Sequence, residues 1–392
     1  MMLNIQELPV PLASREKHDF FHPSPCVLAD GLWMMTFQKI QNADCYGGCE
    51  VVFSVDEGGT WSASRKVEAL RTLAVRKNLM LGVADVRPFP SHDGEKALLI
   101  GCDTIYTSRG NASWDKDAPE PPPLRYGSYY TIFDARKRVF GPRRMLRNPA
   151  LPPEKLWRVA CAQATYAPDG DWILPAYFEH RANVEYEAGY FSPRFAVETV
   201  KVHLEGDTLI PVAWGTQLVY ENMRGFLEPS LIRGTRDYLL TIRAEDGCAY
   251  VSRGMDGLQW PQPVPWRFDD GALLETDSTQ QHWMMAGGKL HLVYTRKSAE
   301  SASAMRYRSI LFVAEVDETQ EVPVLKRNTE QELYPRRQRE GIDGLLGNFH
   351  VANLPDGTAL VGDAYGFYKV QGDDIVERYN DVVLKRVSLN SK

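Results

Sequence analysis

The chain has 392 residues, 44% hydrophobic and 24% charged, the balance of a globular protein with an extensive core. A formal net charge of −6 leaves no broad basic face for a phosphate backbone, so nucleic acid is not an expected partner, and no apolar run is long enough to cross a bilayer as a helix. Met1 to Arg15 lacks a basic stretch followed by an apolar one, so a cytoplasmic or periplasmic location is expected.

One element recurs along the chain: an apolar strand, a turn with Asp-Gly or Gly-Gly, and a second strand rich in Leu, Val, Ile and aromatics. The copies turn at Gly31, Gly94, Gly170, Gly234, Gly288 and Gly357, at intervals of 54–76 residues. Six copies nearly exhaust the chain, and no stretch has the period of a long amphipathic helix. The prediction is all-β: a six-bladed β-propeller in one domain over residues 1–392, closed by Leu3–Leu8 and Val382–Val387 in one blade. Two stacked β-sandwiches would call for a linker near the middle, whereas the proline run Pro119–Pro123 lies inside the second repeat.

In the first repeat four strands are legible, at Cys26–Leu28, Trp33–Gln38, Glu50–Ser54 and Arg65–Val67. Their third turn reads Ser54-Val-Asp56-Glu-Gly58-Gly-Thr60-Trp61, where the Asp can accept bonds from its own turn, the Gly supplies a backbone conformation other residues resist, and the Trp packs between blades. A degenerate copy ends at Gly257 and Trp260, with Met255 in the place of the Asp.

The first strand of each propeller blade lines the central channel, and ligands bind at one mouth. That rule nominates His22, Asp85 with Arg87, Gln163, Glu228, Gln281 with His282, and Asn348 with His350. Glu50 and Asp44 are further carboxylates near the first blade. Cys26, Cys45, Cys49, Cys102, Cys161 and Cys248 form no CxxC pair, which predicts free thiols and no metal; no cofactor motif is present, so none is expected.

The S-x-D-x-G-x-T-W turn matches the Asp-box of the sialidase and neuraminidase repeats, and the chain resembles a divergent branch of that superfamily. Glu228-Pro-Ser-Leu-Ile followed by Tyr238-Leu-Leu-Thr-Ile-Arg243 is similar to the family's Glu-Pro strand and the arginine strand behind it. The resemblance implies that Glu228 supports a nucleophile and that Arg243 belongs to a trio holding the substrate carboxylate. Arg306 stands where the third arginine is expected, with Arg308 next in register. Two features depart from the pattern. The family's Arg-Ile-Pro element reads Phe21-His22-Pro23-Ser24, and Gly347-Asn348-Phe349-His350-Val351 lacks the family's tyrosine nucleophile. The resemblance therefore implies a carbohydrate partner and a glycoside hydrolase acting on a terminal acidic sugar, with Glu228, Asp85, His22, His282 and Glu50 as the acid and base candidates. A uronate lyase using a His base such as His22 or His282 is the second reading, and a non-catalytic glycan-binding propeller the third.

Overall fold

The computed structural model of the chain describes residues 2–10, 12–14, 19–40, 45–108, 110–111, 127–152, 155–186, 190–371 and 374–390. Asp44 and Pro119–Pro123 lie outside them. Among the described residues six antiparallel sheets of four or more strands follow one another along the chain, with a separate two-stranded hairpin of Gln338–Arg339 and Ile342–Asp343. Blade 1 is Asp19–Val27, Trp33–Ile40, Tyr46–Ser54 and Arg65–Lys66; blade 2 is Leu79–Pro90, Lys96–Thr107, Ser128–Asp134 and Val139–Phe140. Blade 3 is Thr165–Tyr166, Trp172–Tyr186, Tyr190–Glu205 and Thr208–Trp214; blade 4 is Leu227–Arg233, Tyr238–Arg243, Ala249–Gly254 and Val264–Pro265. Blade 5 is His282–Ala286, Lys289–Tyr294, Leu311–Asp317 and Val324–Leu325, and blade 6 is His350–Asn353, Ala359–Gln371 and Asp374–Leu389.

The fourth strand of blade 6 is Leu3–Leu8, which pairs antiparallel with the last strand from Leu3↔Leu389 to Leu8↔Leu384. The two ends of the chain thus close one sheet, which leaves no open edge between the first and last blades. All six turn glycines fall in the hairpin between the first and second strands of a blade, and all but Gly234 have positive φ, from 69° at Gly31 to 87° at Gly170.

Each sheet lies between two neighbours, so its middle strands are buried on both faces and read as unbroken apolar runs. Tyr238–Arg243 is buried at every position. The hydrophobic clusters are the layers between blades: Val51, Val86 and Leu99 join blades 1 and 2, Leu174 and Ile132 join blades 2 and 3, and Leu292, Trp266 and Leu239 join blades 4 and 5.

The Ser54–Trp61 turn is organised by one carboxylate. Asp56 Oδ1 accepts from Ser54 Oγ (2.8 Å) and Thr60 N (2.8 Å), Oδ2 accepts from Thr60 Oγ1 (2.7 Å), and Gly58 has φ of 83°. Trp61 is half-buried between blades 1 and 6 and donates from Nε1 to Pro9 O at 3.0 Å. In the degenerate copy Asp256 bonds Leu258 N (2.9 Å) and Gln259 N (2.7 Å), Met255 points outward, and Trp260 is buried between blades 3 and 4. Trp61→Ala is expected to destabilise the fold by about 2 kcal/mol, below the range for a fully buried Trp, without changing ligand affinity, read by urea unfolding and a binding titration.

Candidate functional site

Each inner strand enters the channel through a kink. His22 and Asp85, within the first strands of blades 1 and 2, Glu228 at the start of blade 4, and Cys161, Ser278 and Gly347, three or four residues before the first strands of blades 3, 5 and 6, have φ of 54°, 53°, 44°, 48°, 51° and 104°. Register shifts between Phe21 and Ser24, Ala84 and Arg87, and Leu227 and Ser230 show that three of the kinks are β-bulges. A left-handed residue with a Cβ costs about 1–2 kcal/mol and persists only where the surroundings hold it. These kinks bring side chains from different blades together at one mouth.

Two clusters meet there. In the first, His22 Nε2 lies 2.6 Å from Asp85 Oδ1, and the Cys161 thiol completes a group whose polar atoms are all within 4.8 Å of one another. Burial works against ionisation of Asp85, but His22, then Arg87 and the Cys161 thiol, outweigh it and hold the carboxyl at about 2. Tyr46 stacks on the His22 ring at 6.0 Å.

The second cluster is built around Arg243, whose Nη1 donates to Glu228 Oε1 at 2.6 Å and whose Nε and Nη2 donate to Ser278 Oγ at 3.0 and 2.7 Å. Ser278 in turn donates to Glu245 Oε1 at 2.9 Å, and Arg224 grips both oxygens of Glu245. Each of the three Arg243 guanidinium nitrogens thereby has a protein partner. Arg308 has less: among the described residues its Nε is enclosed without a hydrogen-bond partner, its Nη2 reaches Ser278 O at 3.5 Å, and no carboxylate forms an ion pair with it, Asp363 acting on it only from a longer range. Burial, then the charges of Arg243 and Arg306, pull this guanidinium down to about 10, with Glu228 opposing. It stays a cation at neutral pH, at the edge of a cavity of about 830 Å³ that Phe21, Tyr46, Asn348 and Tyr368 also line.

Glu245 is held at about 2, because the Arg224 fork, Ser278 and Arg243 together exceed the opposing effect of burial. A carboxyl with a lower pKa folded than unfolded stabilises the fold above its unfolded value and loses that contribution as pH falls toward the folded one. Wild-type stability is expected to fall between pH 4.5 and 2.5 by about 1–2 kcal/mol more than that of Glu245→Gln, measured by urea unfolding across that range.

His22, Asp85, Glu228, Arg243, Arg308 and Asn348 thus reach one mouth, and Arg306 lies beside them on a more exposed turn with φ of 53°. Arg308, two residues on, takes the enclosed place expected of Arg306. The other nominees sit elsewhere. Glu50 is on the third strand of blade 1, two strands from the channel, tied to Lys39 Nζ (2.8 Å) and Ser64 Oγ (2.8 Å). Arg87 is wholly buried below the mouth and donates to Ser24 Oγ at 2.6 Å. His282, with Nδ1 2.7 Å from Ser230 Oγ, and His350 are buried in the channel wall, where desolvation and then Arg87 push both well below the ordinary histidine value and leave them neutral. Gln163 bonds both the N (2.7 Å) and O (2.8 Å) of Trp283, and Gln281 accepts from Thr241 Oγ1 at 3.3 Å. The channel-wall side chains among these lie at least two residues beyond the kinks, about 7 Å deeper along the strand, and Arg87, Gln163, Gln281 and His282 cross-link blades through the bonds given. Gln163 and His350 also border a cavity of about 520 Å³ around the far ends of the inner strands, remote from the arginines.

Cys161, Ser278 and Arg308 are the residues that strand-start reasoning passed over. A signal for the first existed: His22, Asp85 and Cys161 each stand nine residues before their turn glycines.

No family model matches the chain, and no curated protein is similar to it in sequence. Solved structures are similar in fold. The NanB sialidase of Streptococcus pneumoniae aligns at a TM-score of 0.61 with 11% identity, covering 98% of this chain and 71% of that one. A Trypanosoma rangeli sialidase, solved with the inhibitor DANA, aligns at 0.56 with 13% identity over 95% of this chain and 55% of its own. A Dyadobacter fermentans protein of unknown function aligns at 0.60 with 13% identity, covering 97% of this chain and all of that one. The chain therefore spans little more than half of the trypanosomal enzyme. It has the six-bladed propeller fold of the sialidases.

Proposed function

We propose that the chain is an exo-acting glycoside hydrolase for a terminal acidic sugar, of the sialic or uronic acid type, bound at the mouth that carries Arg308. The observation that supports this reading is Arg308 itself, an enclosed guanidinium with no ion-paired carboxylate among the described residues, beside Arg243 and Arg306. A planar guanidinium fork matches a carboxylate, and a buried cation lacking a counter-ion is stabilised by an anionic ligand. Arg243, engaged by Glu228 and Ser278, orients the cluster. Glu228 and the His22–Asp85 pair supply acid and base groups for an oxocarbenium-like transition state.

The test is a panel of aryl glycosides of sialic, uronic and neutral sugars together with acidic oligosaccharides. Release of the aryl group from acidic glycosides alone is the expected result, and release from neutral glycosides alone overturns it. The short His22–Asp85 contact also favours a second reading, abstraction of the proton α to a uronate carboxylate, with His22 as base. An unsaturated product absorbing in the ultraviolet identifies that route, and tight binding without turnover identifies a glycan-binding propeller.

A further inference from the structure

The His22, Asp85 and Cys161 cluster holds one imidazole, one carboxylate and one thiol at equivalent positions of three consecutive blades. We propose that these three side chains bind a first-row transition-metal ion of the zinc type at the channel mouth. The proposal does not depend on which sugar, if any, the arginines hold.

Three observations carry it. The first is spacing. Ligand bonds of about 2.0–2.3 Å in tetrahedral geometry place donor atoms about 3.3–3.8 Å apart. The donor atoms here are mutually within 4.8 Å, and the His22 Nε2 to Asp85 Oδ1 distance of 2.6 Å needs to open by only about 1 Å.

The second is donor chemistry. Imidazole nitrogen, carboxylate oxygen and thiolate sulfur are the three donor types that zinc accepts, whereas calcium and magnesium take sets made of oxygen. Three protein ligands leave one position open, as in catalytic sites.

The third is charge. With Cys161 as thiolate and Asp85 as carboxylate, a divalent ion makes the set neutral overall. Three cations face the cluster: Arg87, with Asp363 as its acidic neighbour, Arg243, paired with Glu228, and Arg308, which also feels Asp363 and whose charge reaches the Cys161 sulfur. Binding displaces the Cys161 thiol proton to solvent, so the metal, the thiolate and the released proton balance. His22 and Asp85 then act as ligands, and the proton transfers assigned to them pass to a water at the open position. This differs from the sequence reading, which expected no metal. The three ligands lie 63 and 76 residues apart, a spacing that resembles no metal motif and equals the blade repeat.

The experiment uses the purified full chain, stripped with a chelator and titrated with cobalt(II). One equivalent is expected to bind with a thiolate-to-cobalt charge-transfer band in the near-ultraviolet. Cys161→Ser is expected to lose that band, His22→Ala and Asp85→Asn to bind cobalt at least 10-fold more weakly, and Cys26→Ser, which alters a cysteine elsewhere in blade 1, to keep the band. Absence of stoichiometric uptake, or a band unchanged in Cys161→Ser, overturns the proposal. Should Cys161→Ser fail to fold, the stripped wild-type chain decides. A rise in its melting temperature with zinc(II), saturating at one equivalent, supports the site, and no rise overturns it.

Discussion

Arg308→Met is expected to weaken binding of a carboxylated monosaccharide by about 2–4 kcal/mol, on the order of 30- to 1,000-fold in Kd, while neutral sugars lose little. The substitution keeps the length and apolar bulk of the side chain and removes only its charge and donors. In the free protein it removes a cation whose Nε has no hydrogen-bond partner and which sits among two other arginines. The unliganded variant is therefore expected to be at least as stable as the wild type. Affinity falling while stability holds or rises is the signature of a side chain kept for its ligand, and isothermal titration with a sialic acid, a uronic acid and a neutral hexose, paired with a thermal melt, reads it. A variant that loses neutral and acidic sugars equally, or one that binds acids unchanged, ends the anionic-sugar reading.

Glu228→Ala is expected to have a large effect of a different kind. Its carboxylate is the short-range partner of Arg243 at 2.6 Å, and the next one, Glu245, is 3.8 Å away and already gripped by Arg224. Breaking a buried pair by removing one member leaves the other charge uncompensated, which costs about 3 kcal/mol at a site where both side chains are mostly enclosed. The variant also loses a group with an acid–base role, so turnover of an acidic glycoside is expected to drop by about 100-fold or more. Glu228→Gln separates the two effects. Its amide oxygen still accepts from Arg243 Nη1, so it is expected to recover part of the stability and none of the rate. Urea unfolding and kcat measured side by side check this, and a Gln variant with wild-type turnover removes Glu228 from the chemistry.

Particular residues show why the mouth was only partly legible. Glu228, Asp85 and His22 were found because they open the repeated sequence element, whose position follows from repeat spacing, although the strands of His22 and Asp85 begin earlier, at Asp19 and Leu79. Cys161 occupies the equivalent position in blade 3, but its strand is registered only from Thr165, so Gln163 was the residue that drew notice. Glu50 was nominated because it opens a strand near the Asp-box turn. Nothing local reveals that Lys39, on the neighbouring strand, already neutralises it. Arg306 and Arg308 are indistinguishable in sequence, and which is enclosed depends on a single turn in which Arg306 and Tyr307 take φ of 53° and 55°.

The sequence by itself determined the number of blades, the six inner hairpins, the order of strands in blade 1, and the closing role of Leu3–Leu8, because these rest on local rules: periodic apolar runs, turn glycines, and a sheet edge that must be paired. Tertiary structure alone decided which polar side chains share a site. The groups at the mouth come from all six blades, and their meeting depends on the rotation between sheets and on kinks that turn one residue per blade into the left-handed region. A bulge against the neighbouring blade is held by packing that the flanking sequence does not encode. For the same reason the engagement of Arg243 by Glu228 and Ser278, and the lack of an ion-paired carboxylate at Arg308 among the described residues, are properties of the closed ring of blades.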